Sequence, residues 1–71
     1  MHSEARHVAN LTPAGAVDAA VDEILEHGGV DEAPDAVIRW AVHCYKNATL
    51  QCDPVTVERL CDSLRRAGVP V

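Results

Sequence analysis

The stretch RWAVHCYKN, Arg39 to Asn47, brings together an indole, an imidazole, a thiol, a phenol, a guanidinium and an amine. A cysteine nucleophile there would require an imidazole within hydrogen-bond reach of the sulfur to form and hold the thiolate. Adjacent residues on a helix point about 100° apart, so His43 cannot easily serve Cys44. Cys44 therefore reads as a small core residue, and so does Cys61, which lies on another apolar stripe. A zinc site would draw on His43, Cys44, Cys52 and Cys61, yet these positions lack the short paired spacings of structural zinc sites. The most plausible zinc pair would be Cys52 and Cys61 with a ligand from elsewhere. Asp35, Arg39 and His43, with Asn47 one step further, stand four residues apart. Such a ladder could present His43 as a general base, but it more often forms a solvated face with an Asp35–Arg39 pair worth a few tenths of a kcal/mol. The residues thus assign no catalytic or metal-ligating role and imply no cofactor.

A second constellation is electrostatic. Asp18, Asp22 and Glu26 recur every four residues, Glu23 lies nearby, and no Lys or Arg occurs on the same helix. Like charges at this spacing cost a few tenths of a kcal/mol per pair. Such a row is either a solubilising face or a docking face for a basic surface, since unpaired acidic rows gain most from complementary charge. Trp40 falls at the edge between the apolar and polar sides of its helix. It can close the core of a chain poor in aromatic residues, or act as a contact of the type enriched at interface hot spots. Of the histidines, His27 beside Gly28-Gly29 suits the negative end of its helix.

The elements that carry these residues are marked by caps and breakers. Thr12-Pro13 reads as an N-cap and first helical position, with Leu11 placed to staple onto Ala16. Ala16, Val17, Ala20, Val21, Ile24 and Leu25 share one side of the helix and the acidic residues the other. Gly28-Gly29 ends it. A second helix starts near Asp31, the expected cap, with Pro34 in its first turn, or with Ala33 as cap. Its wide arc of Ala33, Val37, Ile38, Ala41, Val42, Cys44 and Tyr45 is expected to make it the middle of the bundle. Asn47 is the expected stop, followed by a loop around Ala48 to Cys52. Asp53-Pro54 repeats the cap-then-proline device before a stripe of Val57, Leu60, Cys61 and Leu64. Arg65, Arg66, Gly68 and Pro70 mark the third end. The first ten residues lack periodicity and are expected to fray or to wrap onto a partner. The sequence therefore predicts one all-α domain over 1–71, a small antiparallel three-helix bundle with helices at about 12–28, 31–47 and 53–67.

Composition narrows the function classes. The 71 residues carry a net charge of −5, which argues against a sequence-independent grip on nucleic acid phosphates. Residues 1–35 hold eight acidic side chains against Arg6 alone, whereas residues 36–71 hold five basic against three acidic. These halves could pair internally, stack head to tail, or offer the acidic half to a basic partner. Reading the last two helices as a helix-turn-helix would bring Arg59, Arg65 and Arg66 to phosphates. The third helix, however, opens with Asp53-Pro54-Val55-Thr56-Val57-Glu58 rather than base-reading side chains. Three cysteines without a CxxC indicate reduced thiols in a cytosol, and no apolar run approaches the roughly 20 residues needed to span a bilayer. With no Phe and 3% aromatic residues the core is thin, so a partner or self-association would help to cover it. The expected function is that of a cytoplasmic interaction module, a regulator or accessory subunit docking through Asp18, Asp22, Glu23 and Glu26, with Trp40 as a further contact. One alternative is a phage or mobile-element inhibitor covering a basic nucleic-acid-binding surface. Another is a structural homo-oligomer, and a small Cys/His metal or enzymatic domain is the least supported.

Overall fold

The computed structural model describes residues 12–71, and these residues form three helices: α1 (Pro13–Glu26), α2 (Asp35–Gln51) and α3 (Pro54–Ala67). Both cap-then-proline starts form. Thr12 and Asp53 adopt extended backbone, and their side chains accept from the N–H groups of Gly15 at 3.0 Å and Thr56 at 3.3 Å. The caps satisfy donors that a helix start leaves unpaired, and the prolines remove another. The stapling contact expected of Leu11 and everything concerning residues 1–10 lie outside the described residues.

α1 and α3 end in the same hydrogen-bond pattern. Gly29 N–H donates to the Ile24 carbonyl and Gly28 N–H to Leu25; Val69 N–H donates to Leu64 and Gly68 N–H to Arg65. This is the Schellman arrangement, which needs a left-handed residue just past the helix. Gly28 and Gly68 supply it at φ 103° and 100°. The two ends are also joined to each other: Val30 N–H donates to the Ala67 carbonyl at 3.2 Å. The C-termini of α1 and α3 therefore share one end of the bundle. Asp18 and Arg59, each six positions into its helix, meet near the other end at 3.3 Å. α1 and α3 run parallel, and α2 returns antiparallel between their ends.

The second helix lies about four residues later than its sequence signals suggest. Neither Asp31 nor Ala33 caps it; Pro34 does, with extended backbone and no side-chain cap bond. Residues 29–33 form a separate turn closed by Glu32 and Ala33 N–H groups on the Gly29 carbonyl, and a residue before proline is disfavoured from helical geometry. Nor does Asn47 stop the helix. The good helix formers Ala48, Leu50 and Gln51 continue it, and Ala48 is fully buried in line with Ala41 and Cys44. The expected loop over Ala48 to Cys52 reduces to Cys52 and Asp53, both extended ahead of Pro54.

The core comprises Val17, Ala20, Val21 and Ile24 of α1, Ala41, Cys44 and Ala48 of α2, Leu60, Leu64 and Ala67 of α3, and Val69. The central helix is α1, not α2: α1 contacts each of the others more extensively than they contact one another. Its small residues Gly15, Ala16, Ala19 and Ala20 let neighbouring backbones approach on two sides. Leu25, expected on the apolar side, is 54% exposed. It lies roughly 90° from the centre of the buried stripe at 100° per residue.

A β-carbon at Gly68 would come within 2.7 Å of Val30 Cγ1, whereas one at Gly29, also at positive φ, would meet nothing within 4 Å. Gly29→Ala should cost about 1 kcal/mol of stability. Gly68→Ala should cost on the order of 2–3 kcal/mol, and denaturant melts of the two variants measure the difference. A second expectation concerns acid. Hydrogen bonds from the Thr56 hydroxyl and then its N–H hold the Asp53 pKa below the ordinary aspartate range. A depressed folded-state pKa gives stability above the unfolded-state pKa and loses it as pH falls through the folded one. Asp53→Asn keeps a capping oxygen without that titration, so its melting temperature should fall less than the wild type's between neutral and strongly acidic pH.

Candidate functional site

The outward face of α1 follows from the burial of Val17, Ala20, Val21 and Ile24 on the opposite side. At helical spacing, Asp18, Asp22 and Glu26 succeed one another along this face, with Glu23 further round and Leu25 on the flank beside Asp18 and Asp22. The charges are not equivalent. Arg59 of α3 donates to Asp18, with both side chains about half exposed. Glu23 lies 3.6 Å from the His27 imidazole, one turn on, a charge pair only when that ring is protonated. Asp22 and Glu26 are exposed and have no ion pair among the described residues. The arrangement leaves a two-carboxylate stretch beside an exposed leucine.

Trp40, the other candidate contact, is 36% exposed on α2. Its partial burial is consistent with the rim position expected from helical projection. No hydrogen bond among the described residues joins its indole to the acidic row. Sequence reasoning missed three other exposed apolar residues: Leu25, Leu50 (86%) and Val55 (76%). Leu25 carried a misleading signal, because it falls at the margin of a helical apolar arc. Leu50 follows Asn47, where the local signals point to a loop, whereas the helix runs on to Gln51.

The groups with chemical potential are dispersed. Cys44 is buried and its thiol pKa is raised by that burial, while His43 is exposed on the same helix. Cys61 is half-buried near Tyr45. A hydrogen bond with the Cys61 thiol and then burial raise the Tyr45 phenol pKa, Coulombic interaction with Cys61 adds to the rise, and Arg65 opposes it. All three thiols are free. Among the described residues, no three His, Cys, Asp or Glu side chains are grouped to hold a metal ion. The expected Asp35–Arg39 ion pair does not form among these residues. The arginines of α3 are partly engaged within the fold: Arg59 binds Asp18, and Arg65 Nε donates to the Val71 carbonyl at 3.2 Å. No helix among the described residues is long and apolar enough to cross a membrane. No protein-family model, curated protein or solved structure matches the chain.

An acidic row kept for stability should weaken the fold when it is neutralised. Here Asp22→Asn with Glu26→Gln should leave the melting temperature unchanged or raise it slightly, since i,i+4 repulsion of a few tenths of a kcal/mol is relieved. Asp18→Asn should lower stability by less than about 1 kcal/mol through loss of an exposed ion pair. Thermal melts of the two variants at low ionic strength provide the comparison.

Proposed function

We propose that this protein is an interaction module, a small regulator or accessory subunit that docks the acidic face of α1 onto a basic surface of a protein partner. Asp22 and Glu26 supply the charge, Leu25 the apolar contact on their flank, and Asp18 and Glu23 the surrounding field. Trp40 is a further contact on α2. The observation that carries this reading is the exposure of Leu25 beside two carboxylates without ion pairs among the described residues. Complementary charge favours encounter and orientation, and an apolar side chain buried at the centre of the contact adds affinity that exposed charges alone rarely provide. The reading requires no catalytic group, metal or cofactor, and it places the molecule in the cytoplasm, where its three free thiols stay reduced.

Capture of partners from the native host tests the proposal. Wild type should retain a partner at low salt and release most of it as ionic strength rises, because exposed charges are screened beyond about 10 Å at 0.1 M. Asp22→Lys with Glu26→Lys should remove the partner, whereas Glu58→Lys with Asp62→Lys, the same charge change on α3, should not. Equal capture by both double variants would remove the α1 face from the account.

A further inference from the structure

α2 bears an open groove lined by Ile38, Arg39, Val42, His43 and Lys46. Its two walls differ in chemistry. Ile38 and Val42, one turn apart, are half-buried and pack against the core cluster. Arg39, His43 and Lys46 are exposed and follow at i, i+4 and i+7, which aligns them along one side of the helix. A segment seated there would need an apolar side chain for the first wall and carboxylates at helical spacing for the second. The outward face of α1 offers those groups in Asp22, Leu25 and Glu26. Asp22 and Glu26 are also one turn apart, matching the spacing from Arg39 to His43, and Leu25 is exposed beside them.

We propose that the α2 groove of one molecule receives the acidic α1 face of a second copy of this chain. The proposal rests on the docking role of α1 and names the partner surface. Leu25 of one molecule lies against Ile38 and Val42 of the other, and Asp22 and Glu26, one turn apart, face the row of Arg39, His43 and Lys46. Because each copy carries both faces, the contact joins unlike surfaces head to tail, and it ends in a closed assembly where the rotation between copies returns each groove to a free row. The net charge of −5 repels approaching copies, so the local charge pairing must overcome a general repulsion that salt also screens. The direction of the salt effect is therefore informative. Association driven by the charged walls weakens with salt, whereas association driven by Trp40, Leu50 or Val55 strengthens as repulsion is screened.

Sedimentation and light scattering of the full chain at low ionic strength test the proposal. Wild type should self-associate, with affinity falling about tenfold or more between low and high salt. Asp22→Lys with Glu26→Lys should be monomeric, as should Arg39→Glu with Lys46→Glu. An equimolar mixture of the two should regain association, since each variant then meets a face of opposite charge. Circular dichroism of each variant should match wild type, as all four substituted positions are exposed. A wild-type monomer at every concentration, association that strengthens with salt, or a mixture that fails to associate would each overturn the proposal. If wild type is monomeric but Asp22→Lys with Glu26→Lys still abolishes capture of a host protein, docking through α1 survives and the second copy is excluded as its partner.

Discussion

The arrangement of the whole molecule depends on the junction between the ends of α1 and α3. Each helix stops on a left-handed glycine, and Val30, just beyond the first stop, reaches the second. Its N–H satisfies the Ala67 carbonyl, and its side chain occupies the space that a β-carbon on Gly68 would need. A helix C-terminus leaves carbonyls without internal partners, so this bond both completes α3 and fixes its end beside α1. Val69 then enters the core one residue past Gly68. A core built mostly of Ala, Val and Leu has little aromatic mass to enforce alignment by shape alone. Directional contacts of this kind carry more of the specification than they would in a larger domain.

The electrostatic pattern follows from that alignment. Parallel α1 and α3, joined at their C-terminal ends, bring Asp18 level with Arg59, and the single inter-helix ion pair among the described residues forms there. The rotation that buries Val17, Ala20, Val21 and Ile24 turns Asp22 and Glu26 outward. A half-exposed pair of the Asp18–Arg59 type contributes less than about 1 kcal/mol, and like charges one turn apart cost a few tenths. Intramolecular stability therefore gives no reason for the rest of the row, which directs attention to what the face meets outside the molecule. The same geometry sets the character of α2, whose groove gathers Arg39, His43 and Lys46 beside Ile38 and Val42.

Features fixed by neighbours in sequence were legible before the structure. Thr12-Pro13, Asp53-Pro54, Gly28-Gly29 and Gly68 act within four residues of themselves, and each forms the cap or stop expected of it. The bounds of α2 were not, because Asp31 and Asn47 are permissive signals that compete with longer-range effects. Pro34 displaces the start by constraining the residue before it, and burial of Ala48 rewards another turn beyond Asn47. The central position of α1 depends on how closely small residues allow other helices to approach, a property that the breadth of an apolar arc does not report. The acidic row was visible as spacing. The pairing of Asp18, the exposure of Leu25 and the groove on α2 required the helices to be placed in three dimensions.

Photo-crosslinking in the native host tests most directly the claim that the outward face of α1 is a binding surface. A photoreactive amino acid replacing Leu25 would sample whatever lies against Asp22 and Glu26, including a second copy, and one replacing Val55 would sample the exposed start of α3. The account predicts a discrete protein adduct from position 25 that is lost when Asp22 and Glu26 are replaced by lysine, with none from position 55. An adduct from position 55 alone, or one at position 25 indifferent to those two charges, would contradict it.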